Sequence, residues 1–457
     1  MGKFRFYLGL WAGKISIPAL KITHHNGTDF PGVLATKICP DFLRYVGKPP
    51  KTVIITGTNG KTTVNNMLID ILESHGMKVF ANRAGSNIAS GISTVFIKGS
   101  NLFGRIRNCD IAVLEVDERS ALKIYPYLNP DYLAITSLSR DSILRNAHPQ
   151  YIADILTKAM PKDTELILNA EDLISGRIAI NNKRTYYGIN KLATDSDHYD
   201  GLLNDMQICP VCSGKLVYDF QRYNHIGRAH CSDCDFKSPE PSIAVSSIDF
   251  DKEIYTVTED GNSYEYPLIT DSFFNVYNLI TLIAVLRKLG FSHEQIIKDM
   301  AKTNIPDSRH QKDVVNGITL VTQMCKGKNA TAASRIYDYV ASLKGPKEVL
   351  NMTYCAEDAD HWSENICWIY DTDFELLKDD SITKIILAGP RAMDFKLRLL
   401  VGGIDENKIT ICEDQLEATK LLTYKEGNTI CLLYAVDSVD MAMKVRDAIL
   451  DNAKEGK

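Results

Sequence analysis

The stretch TVIITGTNGKTTVNN, residues 52–66, decides the fold of this chain. Its β-branched start predicts a buried parallel strand, the glycine-rich turn 57–60 ends that strand, and Lys61 opens a helix that continues through Ile71. Backbone amides, a helix N-terminus and a lysine together form a site for phosphate groups, and a threonine hydroxyl can bind magnesium. We therefore expect a nucleoside triphosphate to be bound by Gly57, Thr58, Asn59, Gly60, Lys61, Thr62 and Thr63.

The turn is a shortened form of the eight-residue nucleotide loop. That loop would have a glycine at position 55, but Ile55 stands there, so the tighter Gly-x-x-Gly-Lys-Thr pattern remains. The alternative is a glycine-rich turn between a strand and a helix that carries a lysine by chance. A bound nucleotide is the interpretation that we favour.

Composition limits the class of protein. A chain of 457 residues suggests about three domains, and its hydrophobic content of 45% is sufficient for their cores. The net charge of −5 argues against a general nucleic-acid binder, and no apolar run approaches the ~20 residues that span a bilayer. Eleven cysteines, an odd number, fit reduced thiols and a cytoplasmic location.

The N-terminus, residues 1–22, is basic with apolar patches. It is typical of an amphipathic helix packed on the domain, and it is also compatible with a helix that leans on a membrane surface. We expect at most a peripheral membrane contact, near the inner face of the membrane. Residues 1–45 would form this helix and a connector, with 24–32 rich in turns.

Strands that alternate with helical segments predict an α/β core. Apolar runs at 110–116, 131–136 and 165–170 are typical of buried parallel strands, and 82–93 is expected to be a second loop of small residues. The first of these strands ends in the acidic run 115–118. Ligands bind at the C-terminal ends of such strands, so Glu115 or Asp117 is a candidate magnesium ligand, against the alternative of a solvated loop acid.

Two Cys-x-x-Cys pairs, separated by 18 residues, interrupt this α/β pattern. Four thiolates at this spacing match a structural zinc ribbon, with no open position for catalysis. The ligands would be Cys209, Cys212, Cys231 and Cys234, in an insertion at 206–238.

The rest of the chain predicts two further parts. Residues 241–268 alternate as antiparallel strands do, and a strongly periodic helix begins at Phe273. Five strands between 318 and 434 predict a second α/β domain. We place the ATP-binding domain at 46–305 and the C-terminal domain at 306–457.

Four motifs occur in an order that resembles the Mur ligase superfamily. They are the nucleotide loop, the LEVDE strand end at 114–118, the FNVYN helix start at 274–278 and the Pro-Asp-Ser-Arg junction at 306–309. The four-cysteine insertion and the stretch TYCAEDADHWSENICWIYDTDFELL at 353–377 are similar to the MurT family, the ligase subunits of lipid II isoglutaminyl synthases.

The resemblance implies a function and a set of roles. ATP would phosphorylate the α-carboxyl of the D-glutamate in the stem peptide of lipid II, and ammonia from a GatD-like glutaminase partner would then form the amide. Lys61 and the loop around it would bind the phosphates, and Glu115 with Thr62 would bind magnesium. Asn278 would meet the nucleotide base. Arg309 would clamp phosphate, unless it is a surface arginine on a linker.

Three stretches depart from the family pattern. Asn365 stands where the family has an aspartate that completes the glutaminase triad, and an amide cannot stabilise an imidazolium as a carboxylate does. The loops 137–146 and 324–329 are also changed. The departures leave two alternatives open, namely a Mur-type ligase for another carboxylate or amine, and a non-catalytic nucleotide-binding scaffold.

Overall fold

The computed structural model describes residues 2–22, 27–83, 86–141, 148–270, 272–302, 310–325, 328–353 and 366–455. The chain divides into two compact units. The first unit consists of residues 1–139, 148–199 and 205–305, and the second of residues 140–147, 200–204 and 306–457.

A mixed nine-stranded sheet forms the centre of the first unit. Its spatial order is β11-β10-β9-β6-β5-β4-β1-β3-β2, parallel from β2 to β9 and antiparallel from β9 to β11. The strands are β1 Thr52–Thr56, β2 Val79–Ala81, β3 Ile111–Glu115, β4 Tyr132–Ile135, β5 Glu165–Asn169, β6 Arg184–Ile189, β9 Ile243–Asp249, β10 Ile254–Glu259 and β11 Asn262–Pro267. Strand β1 lies between β3 and β4 and is parallel to both. The loops that follow these three strands therefore lie together at the C-terminal edge of the sheet.

Helices cover both faces of this sheet. They are α1 Gly2–Ile22, α2 Phe30–Ile38, α3 Lys61–Ser74, α4 Ala89–Gly99, α5 Ala121–Leu128, α6 Pro149–Ala159, α7 Phe273–Lys288 and α8 His293–Met300. The side chains of strand β1 explain why helices cover both faces. Val53 and Ile55 belong to the core with α3 and α7, and Ile54 belongs to the core with α1, α4 and α5. Successive side chains of a strand point to opposite faces, and β1 is buried on both.

A separate hairpin carries the four-cysteine insertion. It consists of β7 Leu216–Tyr223 and β8 Ile226–Cys231, which pair with each other and with no strand of the large sheet. The first Cys-x-x-Cys pair precedes β7 and the second begins at the end of β8. The turn of the hairpin, with Asn224 at φ 45°, therefore lies at the opposite end from the cysteines.

The second unit is also an α/β sandwich. Its sheet has the order β12-β13-β17-β14-β15-β16, with only β12 antiparallel. The strands are β12 His310–Val315, β13 Ile318–Cys325, β14 Lys347–Met352, β15 Ile382–Ala388, β16 Ile409–Cys412 and β17 Thr429–Ala435, and the helices are α9 Ala330–Ser342, α10 Ala392–Val401 and α11 Val439–Glu455. Trp368 is buried in the core beneath α10.

The structure confirms the α/β fold and corrects some local expectations. Residues 82–93 are not a loop throughout, because helix α4 begins at Ala89, and the connector 24–32 ends in helix α2 at Phe30. Strands β6 and β12 were not expected. Of the helices that the structure describes, none is both long enough and apolar enough to span a bilayer.

Candidate nucleotide-binding site and four-cysteine cluster

Two glycines let the β1–α3 turn pass close to its neighbours. Gly57 has φ 127°, and a Cβ there would lie 2.3 Å from Thr136 Oγ1. Gly60 has φ 85°, and a Cβ there would lie 2.0 Å from Asn278 Oδ1. Both backbone conformations are disfavoured for residues with a side chain. The geometry of the turn therefore requires the two glycines at positions 57 and 60.

The segment that follows strand β4 holds this turn through hydrogen bonds. The backbone amide of Thr58 donates to Ser137 O at 2.7 Å, and Thr58 Oγ1 accepts from the amide of Ser139 at 3.1 Å. Thr136 Oγ1 donates to Asn59 O at 2.5 Å. Ser137 thus supports the turn through its backbone, which does not depend on whether serine or asparagine occupies the position.

Lys61 lies at the first position of helix α3 and is held by an acidic partner. Its Nζ donates to Glu118 Oε1 at 2.9 Å and to the carbonyl oxygen of Gly57. Burial by itself would lower the pKa of the ammonium, but the negative charges of Glu118, Glu115 and Asp117 outweigh burial and raise that pKa. Lys61 therefore remains charged at the edge of the sheet.

Glu118 also contacts the turn itself, since its Oε1 accepts from the amide of Gly57 at 3.0 Å. Glu115 lies at the end of β3, where its Oε1 accepts from Asn87 Nδ2 at 2.9 Å. Asp117 is buried and accepts from the amide of Arg119 at 3.1 Å. The acidic run thus brings three carboxylates to the strand ends beside Lys61.

These residues fit a nucleotide phosphate with its divalent cation. Asn59 Nδ2 is a buried donor without a partner in the described part of the chain, and Lys61 adds a positive charge at the start of a fourteen-residue helix. Thr62 and Thr63 lie half-buried in the first turn of that helix. Carboxylate and hydroxyl oxygens are the ligands that magnesium prefers, so Thr62 and Glu115 could hold it.

Of the three remaining predicted site residues, the structure describes Asn278 but not Arg309 or Asn365. Asn278 lies in helix α7, is 3% exposed, and packs against Gly60, with its Nδ2 bonded to Asn275 Oδ1 at 3.0 Å. Arg309 and Asn365 lie outside the described residues, as do 142–146 of the first altered loop and 326–327 of the second.

The four cysteines of the insertion converge on one point. Their sulfur atoms all lie within 4.8 Å of one another, with Cys209 Sγ 3.6 Å from Cys234 Sγ and Cys212 Sγ 3.4 Å from Cys231 Sγ. A tetrahedral zinc with Zn–S bonds of about 2.3 Å separates its sulfurs by about 3.8 Å. The distances and the donor set therefore fit a metal ion of this kind.

Backbone amides surround these sulfurs. The amides of Val211, Gly214 and Asp233 donate to Cys209, Cys212 and Cys231 respectively, at 3.3–3.4 Å. Such hydrogen bonds orient thiolate ligands and disperse their charge.

The β7–β8 hairpin that carries the four cysteines (the ribbon hairpin) connects at its turn to the nucleotide loop through a buried carboxylate. His225 Nε2 lies 3.1 Å from Asp172 Oδ1, and both side chains are fully buried. The other oxygen of Asp172 accepts from the amide of Leu138 at 2.8 Å, next to the residue that binds Thr58. Burial would raise the pKa of Asp172, but its bonds with His225 and with the backbone amides of Ser175 and Leu138 outweigh burial and lower that pKa.

A second buried contact joins the hairpin to helix α7. Arg222, 4% exposed, binds Asp195 with two nitrogens at 2.6 and 2.9 Å and donates to Tyr277 Oη at 2.7 Å. It also pairs with the buried Glu171, to which Tyr277 donates. Since Tyr277 precedes Asn278, the hairpin supports the same helix that packs on Gly60.

Sequence reasoning missed Glu118, His225 and Arg222 as parts of this site. The signal for Glu118 was present in the acidic run 115–118, but we favoured Glu115 and Asp117 within it. For His225 and Arg222 the sequence offered no comparable signal, because their partners Asp172 and Glu171 lie some 50 positions earlier in the chain.

Comparison with known proteins identifies the family. The protein-family model named Mur ligase middle domain matches residues 55–211. The protein-family model named MurT ligase C-terminal matches residues 327–436. The lipid II isoglutaminyl synthase (glutamine-hydrolyzing) subunit MurT of Staphylococcus aureus strain COL is 30% identical over 94% of this chain and 95% of its own length. The subunit of the same name from Streptococcus pneumoniae is 29% identical over 88% of each chain.

Solved structures share the fold. A pseudomurein peptide ligase type C from Methanothermus fervidus superposes with a TM-score of 0.65 at 24% identity, covering 90% of this chain and 81% of that one. The MurF ligase of Thermotoga maritima, solved in complex with ADP, gives a TM-score of 0.56 at 14% identity, covering 94% and 84%.

This chain matches the MurT subunit of Staphylococcus aureus over nearly its whole length. It also carries a nucleotide loop, an acidic strand end and a four-cysteine insertion. The chain therefore belongs to the MurT family of Mur ligases and is an ATP-dependent Mur-type ligase.

Proposed function

We propose that this ligase amidates the α-carboxyl of D-glutamate in the stem peptide of lipid II or a related peptidoglycan precursor. The observation that carries the proposal is the similarity to MurT subunits over 94% of the chain at 30% identity, since those proteins are named as subunits of a lipid II isoglutaminyl synthase. In this reaction the γ-phosphate of ATP passes to the carboxylate oxygen, and ammonia then displaces phosphate from the acyl phosphate to leave the amide.

The residues around the nucleotide loop support this chemistry. Phosphoryl transfer depends on positioned phosphates and neutralised charge more than on a side-chain nucleophile. The amides of Asn59 and Gly60 and the ammonium of Lys61 would bind the phosphates, whereas the amides of Gly57 and Thr58 donate to Glu118 and Ser137. Thr62 and Glu115 would hold magnesium, which supplies positive charge to the phosphate oxygens when bound. Asn278, Thr58, Asn59, Thr63 and Arg309 complete the proposed nucleotide-binding set.

Glu118 is added to this set as a positioning residue. It holds Lys61 Nζ at 2.9 Å and also accepts from the amide of Gly57. Both contacts lie on the turn that would face the phosphates. The carboxylate therefore neutralises and holds the lysine while no phosphate is bound, and bound phosphates would compete with it for Lys61.

The four-cysteine cluster would hold structural zinc. Four thiolates saturate a tetrahedral ion, so no position is open for a substrate or water. The metal would fix the two Cys-x-x-Cys turns at one end of the ribbon hairpin. The reaction itself would not pass through it.

A glutaminase subunit of GatD type is the proposed source of ammonia, and Asn365 is the residue that would face its histidine. The complex would work in the cytoplasm, near the inner face of the membrane where a lipid-linked acceptor lies. The proposal also keeps the division of the chain into an N-terminal helix and connector at 1–45, an ATP-binding domain at 46–305 with the ribbon at 206–238, and a C-terminal domain at 306–457.

The test is amidation by the purified chain. Lipid II and ATP are supplied with either ammonium or glutamine plus a co-purified glutaminase, and ADP release is followed together with the product mass. We expect amide formation with ammonium. ADP release without amidation of lipid II, but with another carboxylate or amine, would indicate the alternative acceptor, and no turnover with any acceptor would indicate a scaffold.

A matched pair of lysine variants ties the activity to the nucleotide loop. Lys61→Gln removes the charge at the start of α3, and we expect at least ~10²-fold slower amidation because the phosphate charge loses a preorganised partner. Lys158→Gln, an exposed lysine of helix α6, is the control and should react at the rate of the unmodified protein. Equal rates for both variants would contradict the assigned site.

A further inference from the structure

Helix α1 has two apolar faces. Phe6 and Leu10 lie on the buried face, packed into the core of the first unit. The opposite face is exposed, and its large side chains recur at intervals of three, four and seven residues, which places them on one side of a helix. They are Phe4, Leu8, Trp11, Ile15 and Ile22, each between 41 and 80% exposed.

A neighbouring turn extends this exposed surface. Trp11 Nε1 donates to Leu102 O at 3.0 Å, and Lys14 Nζ donates to Ile97 O and Ser100 O at 2.7 and 2.5 Å. The helix is therefore fixed to the end of α4 and to the segment that follows it. Asn101 closes the turn by accepting from two amides through its Oδ1. The turn holds Leu102 and Phe103 at its tip with 62 and 68% exposure.

The charge of these two segments has a single sign. Residues 2–22 and 98–107 contain seven basic and no acidic residues, in a chain whose net charge is −5. Six of the seven are exposed and form no ion pair within the described part of the chain, namely Lys3, Arg5, Lys21, Lys98, Arg105 and Arg107. The seventh, Lys14, is the one whose ammonium binds the carbonyl groups.

We propose that this surface, formed by the exposed face of α1 and the turn 101–107, docks peripherally on an anionic lipid bilayer. Aromatic and aliphatic side chains flanked by lysine and arginine match the boundary between acyl chains and acidic headgroups. A second copy of the chain fits less well, because a twofold contact places the same surface on both sides and would bring the exposed cations against one another.

Docking on a bilayer does not depend on the proposed amidation reaction. Binding is measured by co-sedimentation of the full chain with vesicles of phosphatidylcholine alone and vesicles that also contain phosphatidylglycerol. No acceptor is present, so a negative result would leave the amidation reaction untouched. We expect binding to the anionic vesicles, weakened by salt because the exposed charges are screened.

Two variants separate the apolar and the charged contributions. Phe4→Ser with Ile15→Ser should reduce partitioning about tenfold or more, since both side chains leave water only in the docked state. Arg105→Gln with Arg107→Gln should reduce binding to anionic vesicles by about fivefold per charge and leave neutral vesicles unaffected. Ile180→Ser with Met393→Ser, also highly exposed, is the control and should bind as the unmodified chain does.

The fluorescence of Trp11 gives a local readout. Brominated phospholipids should quench part of the tryptophan emission of the bound chain, and Trp11→Phe should abolish that quenching. Equal binding of all variants, no preference for anionic vesicles, or a dimer that Phe4→Ser with Ile15→Ser converts to a monomer would overturn the proposal. So would capture of this face by an acidic protein in the absence of vesicle binding.

Discussion

His225 Nε2 and Asp172 Oδ1 lie 3.1 Å apart, and neither side chain is exposed. The histidine belongs to the turn of the ribbon hairpin, and the aspartate follows strand β5 of the large sheet. Because an ionised carboxylate can only accept hydrogen bonds, the contact requires a hydrogen on His225 Nε2. The pair joins the four-cysteine insertion to the segment after β4, which holds the nucleotide loop.

Removing this contact is expected to weaken nucleotide binding. In His225→Ala the aspartate keeps its backbone donors, so the free energy of unfolding should fall by about 1–3 kcal/mol. Asp172→Asn should lower the free energy of unfolding further. In either orientation of the new amide, its NH₂ group faces a backbone N–H, that of Leu138 or that of Ser175, where a carboxylate oxygen accepted before. ATP affinity is measured by calorimetry, with His230→Ala, an exposed histidine of the same hairpin, as control. Unchanged affinity in both variants would show that the hairpin does not support the loop.

The same aspartate predicts a pH dependence. Its pKa is lower in the folded chain than the value of about 3.9 in an unfolded chain. It therefore contributes stability above the unfolded value, and this contribution is lost as the pH falls through the folded value. The difference in free energy of unfolding between the unmodified chain and Asp172→Asn should be constant near neutral pH and shrink below about pH 4. A difference that grows on acidification would contradict the assignment.

Glu118→Gln should increase the stabilisation that ATP provides. Without nucleotide, the variant leaves the Lys61 ammonium without its anionic partner, whereas bound phosphates supply negative charge again. The melting temperature should therefore fall more in the absence of Mg-ATP than in its presence, and the shift on adding Mg-ATP should be larger than in the unmodified chain. Glu73→Gln, an exposed residue of helix α3, provides the control. Equal ATP-induced shifts would indicate that Glu118 and the phosphates do not compete for Lys61.

Cys212→Ser is expected to release the bound metal. Elemental analysis should find one zinc per unmodified chain and about none in the variant, because three thiolates bind far more weakly than four. The ribbon would then become susceptible to proteolysis, and ATP affinity should fall with it because the hairpin carries His225 and Arg222. Cys109→Ser, a cysteine outside the cluster, should retain the metal. A metal-free variant with intact ribbon and unchanged affinity would refute the coupling.

Asn365→Asp is expected to affect one nitrogen source only. If this position faces the histidine of the glutaminase, a carboxylate should stabilise the imidazolium better than an amide does. Glutamine-dependent amidation should rise by ~10-fold or more, while the ammonium-dependent rate stays constant. The control is Asn365→Ala, which cannot restore a charge. An equal change in both rates would place the residue in the ligase reaction instead.

The sequence by itself determined those features that depend on neighbours along the chain. The β1–α3 turn follows from a β-branched run, two glycines and a lysine within ten positions, and the four-cysteine cluster follows from two short pairs. The alternation of apolar segments likewise predicted the α/β sheets, because it reports directly which residues are buried. Strands β6 and β12 were missed because RTYYGI and HQKDVV begin with polar residues and carry few aliphatic side chains.

The tertiary structure alone decided which residues meet. The order β4-β1-β3 brings Glu118 to Lys61, 57 positions away, and the same order brings Ser137 to Thr58. The docking of a hairpin turn brings His225 to Asp172. Local periodicity records that a side chain is buried but not its partner, since a partner is fixed by strand order and packing across distant segments.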